Sequence, residues 1–202
     1  MRIGEIANIQ AGYQFRGKVE PDPDGNVATI QIKDIEDRRR LNPDTVDRIA
    51  FDKPYEQYLV SRDDILFLSR GHRQFAIPIE DDLTDTIASG YFYILRLRTD
   101  RIRPAYLAWY INQPPFQGQL APHVQGTHMP FVSQSAFQDL IVPVPPLAVQ
   151  DTVVALASLA EQEQSILAQL ASKRAALIQS MILAAADDAH AAAVTASPRN
   201  QS

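Results

Sequence analysis

Over the first 145 residues, apolar positions come in short runs broken by turn residues; after Pro146 they settle into one long helical period. Residues 27–32 (VATIQI) follow the turn-rich run Pro21-Asp22-Pro23-Asp24-Gly25-Asn26 and read as a strand. Residues 65–68, 75–79 and 91–97 have the apolar, β-branched and aromatic character of further strands. Residues 104–111 predict a short helix with Pro104 in its first turn and Pro114-Pro115 as its stop. Ser133 suits the N-cap of a second short helix over 133–140, and 141–144 read as one more strand. The result is a mixed α+β globular head over residues 1–145.

The remainder is of another kind. Pro143-Val144-Pro145-Pro146-Leu147 leads into a stretch that runs through Ala186 without Gly or Pro. As a helix its roughly 40 residues would be ~60 Å long. Pro146 suits the first helical position, where its missing N–H is no loss. Val149, Val153, Leu156, Ala160, Glu163, Leu167, Leu170, Arg174, Leu177 and Met181 keep a 4-3 spacing, the seam of a coiled coil, and Leu159 and Ile166 widen the stripe. Glu163 and Arg174 would weaken the seam but fix its register. An antiparallel self-pairing centred between Leu167 and Leu170 sets Glu163 of one copy against Arg174 of the other. The alternative, a core helix folded back on the head, is disfavoured by length, since globular helices typically run about 8 to 20 residues. The expected layout is therefore a head (1–145), a spacer and dimerisation helix (146–187) whose packing positions are Val153, Leu156, Leu167, Leu170, Leu177 and Met181, and a disordered tail (188–202).

Composition narrows the setting. Apolar residues make up 46% of the 202, enough for a real core. There is no cysteine, so disulfides and thiolate metal sites are excluded and a reducing cytoplasm is the expected location. The opening Met1-Arg2-Ile3-Gly4-Glu5 lacks a signal-peptide core, and no run approaches the ~18 apolar residues of a membrane span. Net charge is −5, with 16 Lys+Arg against 19 Asp+Glu in the head and 3 against 5 beyond it. A head of this balance would bind DNA only through a local basic face, with another subunit supplying much of the grip.

No catalytic constellation is visible. Asn112-Gln113-Pro114-Pro115-Phe116 departs from the amino-methyltransferase pattern, in which Asn or Asp directly precedes the prolines, and no glycine-rich strand-loop-helix stands upstream to hold a cofactor. His72, His123, His128 and His190 lack metal-ligand spacing. No serine sits in a G-x-S-x-G elbow. The chain reads as a non-enzyme without cofactor or metal.

Five segments, in order, carry a chain-long resemblance. Gly12-Tyr13-Gln14-Phe15 is similar to an opening Gly-x-x-Phe. Asp64-Ile65-Leu66-Phe67-Leu68-Ser69-Arg70-Gly71 is similar to a GDILFSRSG segment, with Asp63 where glycine is usual. Tyr106-Leu107-Ala108-Trp109-Tyr110-Ile111 is similar to a Tyr-Leu-x-Tyr-Tyr-Leu helix. Gly126-Thr127-His128-Met129-Pro130-Phe131-Val132-Ser133 is similar to a Gly-x-x-x-x-x-Ile-Ser stretch, and Pro145-Pro146-Leu147-Ala148-Val149-Gln150 to Pro-Pro-Leu-x-Glu-Gln, with Val149 in place of glutamate. Together they resemble the specificity subunit of type I restriction-modification systems. The resemblance implies a DNA target-recognition domain on a helical spacer, partnered by an adenine methyltransferase (modification) subunit and, in restricting complexes, a restriction subunit. Family members usually carry two head-helix units whose helices lie antiparallel. This sequence has one, which makes it resemble a half-length form that would homodimerise and read a bipartite palindrome on double-stranded DNA.

DNA contacts in such a head should be polar and basic residues in loops beside strands. Ser69-Arg70-Gly71-His72-Arg73-Gln74 is the strongest cluster: Arg70 and Arg73 can fork onto phosphate or guanine, Gln74 can pair with adenine, and His72 lies between them. Gln125, Thr127 and His128 form a second group, favoured by the resemblance, and Arg16 and Lys18 can clamp phosphate. Arg38-Arg39-Arg40 is either a DNA contact or a loop neutralised by Asp34, Glu36 and Asp37. Tyr13, Phe15, Trp109 and Tyr110 read as core aromatics. The rival to DNA recognition is a coiled-coil adaptor that binds the methyltransferase, or a full-length relative, without reading DNA.

Overall fold

The computed structural model describes residues 1–35 and 40–195. The chain divides into two compact units, Met1–Val154 and Ala155–Ser202. The first is an α+β head. It begins with α1 (Ile3–Ile6) and β1 (Ala7–Ala11) and continues through β2 (Val27–Ile30), β3 (Asp47–Ile49), β4 (Ile65–Leu68), β5 (Ala76–Pro78), β6 (Thr86–Ala88) and β7 (Phe92–Leu97). Then come α2 (Pro104–Ile111), α3 (Pro114–Leu120), the paired β8 (Val124–Gln125) and β9 (Phe131–Val132), and α4 (Gln134–Gln138). Helix α5 (Leu147–Thr195) starts in the head and supplies the second unit.

A four-stranded antiparallel sheet, ordered β1-β7-β4-β5, organises the core. All four residues of β4 are buried, because both faces of the sheet are covered. The period of two sends Ile65 and Phe67 towards the helices, where they join Tyr106, Leu107, Ile111, Phe116 and Phe137. Leu66 and Leu68 go to the other face, joining Ile30, Val60, Ile77 and Ile94. Phe67 stacks on Phe137 with ring centroids 4.1 Å apart. A second sheet, β3-β2-β6, pairs β2 and β6 in parallel. It carries its own cluster, in which Val27, Ile49 and Ile87 are capped by Tyr13, Phe15, Phe51, Tyr55 and Tyr58.

Four expectations are corrected. Residues 141–144 form no strand: Ile141 makes a single bridge with Arg2, and Val142 exchanges hydrogen bonds with Met1. Pro143, Pro145 and Pro146 have no N–H with which to continue a ladder. Pro114-Pro115 does more than stop α2, since it also opens α3. Asn112, at the end of α2, accepts from the Ala76 N–H (2.9 Å) and donates to the Ala76 carbonyl (2.8 Å), taking the place of a neighbouring strand along β5. Pro146 lies one residue before α5; its carbonyl accepts from Val149 and Gln150, which is an N-cap role. Helix α5 continues past residue 187 to Thr195.

Two of the motif positions acquire physical reasons here. Asp63 adopts φ +69° and donates to the Ile79 carbonyl (2.9 Å), a left-handed conformation that explains why glycine suits this place. Asp63→Gly should therefore leave stability unchanged or raise it by up to about 1 kcal/mol, and Asp63→Val should lower it, in thermal unfolding of the purified variants. The neighbouring Asp64 is buried, accepts from the Ser61 N–H (2.9 Å) and pairs with Arg96 (3.4 Å). Burial pushes its carboxyl above the usual range, although the Ser61 and Arg96 contacts pull it the other way.

Gln150 is fully buried and joins α5 to the rest of the head. Its amide accepts from the Arg103 N–H (2.8 Å) and donates to the carbonyls of Arg101 (2.8 Å) and Pro145 (2.7 Å). Arg103 adds an ion pair with Asp151 at 3.1 Å, and Val153 and Val154 pack on the core beside it. Gln150→Ala strands three backbone groups at once and should cost about 2–4 kcal/mol. Urea unfolding checks this. A wild-type midpoint for Gln150→Ala would show that the junction is not held by this amide.

Candidate nucleic-acid interface

The two loop clusters nominated from sequence are brought side by side by backbone pairing. The Gly71 N–H donates to the Pro130 carbonyl (2.8 Å) and the Val132 N–H to the Ser69 carbonyl (2.9 Å), so Arg70 bridges Phe131. Phe131 pairs on its other side with Gln125 in the β8–β9 hairpin. Phe131 thus lies between Gln125, its partner in the hairpin, and Arg70, which meets it through an isolated bridge just past the end of β4. Gly71 sits at φ +121°, open only to glycine without strain, and lets the chain turn away after Arg70. Tyr93 fixes the arrangement from below, its hydroxyl donating to the Val132 carbonyl at 2.8 Å. Burial raises the Tyr93 pKa, while a Ser69 hydrogen bond and the charge of Arg70 act in the opposite direction.

Arg70 also lines a cleft of about 420 Å³ with Gln14, Lys18, Lys33, Tyr91 and Met129. The structure therefore places Lys18 beside Arg70, across more than fifty residues of sequence. Lys33 belongs to the same cleft but is neutralised by Asp47 (2.8 Å) and Asp34 (3.3 Å), and the Asp47 hydrogen bond leads in raising its pKa. Lys18 and Arg70 form no ion pair among the described residues and keep their charge for an external anion.

Other nominated residues fall elsewhere. Arg16 lines a separate cleft with Gln10, Lys53 and Tyr58. His72 and Arg73 are exposed in the loop that follows Arg70, and Thr127 and His128 are exposed in the connection between β8 and β9. Gln74 is half-buried and donates to the Gly71 carbonyl, closing the turn. Arg40 is exposed, and Arg38 and Arg39 lie outside the described residues. Tyr13, Trp109 and Tyr110 are half-buried in aromatic packing, as is Phe15. Lys33, Lys53, Gln14 and Met129 were not foreseen: Lys33 and Lys53 lie in no motif, Gln14 and Met129 stand at unspecified positions of theirs, and all four meet the clefts only through tertiary folding.

Among the described residues, no group of three or more His, Asp or Glu side chains could hold a metal ion, and no helix is long and apolar enough to cross a membrane. From residue 156 onwards α5 exposes Leu156, Leu159, Ile166, Leu167, Leu170, Leu177 and Met181, each more than half accessible.

No family model matches this sequence, and no curated protein matches it. Solved structures do. The type I restriction-modification S subunit from M. genitalium aligns over 84% of this chain and 40% of its own, with TM-score 0.56 and 13% identity. A chain from a structural study of complex assembly and conformational transition in the type I R-M system aligns over 83% and 39%, with TM-score 0.59 and 18% identity. The HsdS subunit from Thermoanaerobacter tengcongensis aligns over 81% and 37%, with TM-score 0.51 and 19% identity. The fold is that of the type I specificity subunits, a globular α+β domain followed by a long helix. This chain spans about two fifths of the length of those it matches.

Proposed function

We propose that this chain is a non-catalytic DNA-specificity subunit of a type I restriction-modification complex, its head reading one half-site and its helix docking an adenine methyltransferase. The observation that carries the reading is the convergence of Arg70, Lys18 and the β8–β9 hairpin on one cleft, in a fold shared with S subunits. Exposed cations with no ion pair among the described residues suit phosphate positioning next to base readout. The apolar stripe of α5 is matched by a second copy in antiparallel register. There Leu156 faces Met181, Ala160 faces Leu177, Leu167 faces Leu170, and Glu163 faces Arg174. A two-fold dimer imposes the same symmetry on its preferred site, two identical half-sites in opposite orientation.

The adaptor reading draws on the net charge of −5 and on the exposed stripe, which would serve docking without DNA. Equilibrium binding separates the two. The methyltransferase with this chain should bind duplex DNA at least tenfold more tightly than without it, with affinity falling steeply with salt. Equal affinity with and without the chain would favour the adaptor. A truncation ending at Val154, which keeps the whole first unit, should lose co-purification with the methyltransferase; full retention would remove the rest of α5 from the docking surface.

A further inference from the structure

Gln14 and Phe15 line two clefts of the head, the one that holds Lys18 and Arg70 and the one that holds Arg16 and Lys53. They form a ridge with Lys18 and Arg70 on one side and Arg16 and Lys53 on the other, none in an ion pair among the described residues. The backbone beneath is fixed: the Gly12 N–H donates to the Phe92 carbonyl (2.9 Å) and the Tyr13 N–H to the Ala88 carbonyl (2.8 Å). Phe15 is anchored on Tyr13 and Phe51, with centroids 4.8 and 6.2 Å away. Between these anchors Gln14 is exposed, yet its side chain is not free to wander, because Nε2 donates to the Gly90 carbonyl at 3.0 Å. The amide lies directly over Gly90: a Cβ on that residue would fall 2.3 Å from Gln14 Nε2. Among the described residues, Oε1 and the second N–H of the amide have no partner. An acceptor and a donor side by side, held in place on a ridge between cations, match the N7 and N6 positions of adenine in the major groove.

We propose that Gln14 is a base-reading residue for an A·T pair and that Gly90 is the positioning residue that holds its amide ready. Pre-organisation of this kind removes the ordering cost that a flexible exposed glutamine would otherwise meet on binding. The inference rests on the DNA-reading proposal above.

The test is selection from a pool of duplexes randomised across the site, using the full chain assembled with its adenine methyltransferase. Wild type should select a motif containing an A·T pair that Gln14→Ala flattens by roughly tenfold or more while the other positions keep their preference. Gln14→Glu should move the preference at that position towards C·G, since a carboxylate accepts from cytosine N4. Gly90→Ala should flatten the same position, because the new methyl displaces only the far end of a flexible side chain. The salt dependence of binding should match wild type in Gln14→Ala and fall by about one unit in Lys18→Ala. A motif unchanged at every position in Gln14→Ala overturns the inference while leaving DNA reading intact. A flattened position in Gln14→Ala that survives Gly90→Ala overturns the positioning role, and a wild-type complex that selects no motif overturns both the inference and the reading beneath it.

Discussion

Replacing Leu170 and Leu177 with Glu is expected to convert the proposed dimer to a monomer. In the antiparallel register each substitution acts twice, so four carboxylates enter a seam whose remaining apolar members beyond Val154 are Leu156, Ala160, Leu167 and Met181 and their symmetry mates. Each introduced charge loses apolar burial of about 1.5–3 kcal/mol and must also be desolvated or splay the helices apart. These side chains are exposed in the single chain, so the head should melt as in wild type. Light scattering reads the mass and thermal unfolding reads the head. Polarity is tested separately. Glu163→Arg should weaken an antiparallel dimer by setting Arg against Arg, and adding Arg174→Glu should restore it. In a parallel pair Glu163 already faces itself, so the single change would have little effect and the double change would rescue nothing.

The second large effect belongs to the head. Arg70→Ala combined with Arg73→Ala should weaken DNA binding by the methyltransferase complex, by about 1–3 kcal/mol for each base that an arginine no longer reads. The two arginines are exposed in or beside a turn, so folding should be preserved. Arg70 is the more informative member, since it shares its cleft with Lys18 and its bridge with the hairpin. Unchanged affinity and sequence preference in the double variant would take this cluster out of the interface.

Much of this architecture can be read locally. Helix α2 begins at Pro104 and ends before Asn112 because prolines punctuate both sides, and β4 is a run of four apolar residues whose two buried faces leave no polar alternation to misread. Other elements carry too little local signal. Strand β1 (ANIQA) alternates with Asn8 and Gln10, β6 is three residues long, and α3 opens on the prolines that suggested only a stop. The candidate site follows the same division. Arg70, Lys18 and the 125–128 segment are legible as separate polar clusters. The meeting of the Arg70 turn with the hairpin depends on two long-range hydrogen bonds, Gly71 to Pro130 and Val132 to Ser69, and that of Arg70 with Lys18 on the shared cleft, none of which a local pattern encodes. Gln14 is inconspicuous in sequence because its placement depends on the absence of a side chain at Gly90, seventy-six positions away.

The central claim is that a symmetric pair of these heads directs adenine methylation, and the most direct measurement is methylation-site mapping of DNA exposed to the chain and its methyltransferase together. The account predicts a split palindrome, two identical half-sites in opposite orientation around an unread gap, methylated only when this chain is present. A strictly asymmetric recognition sequence, or a methylation pattern indifferent to the chain, would contradict it.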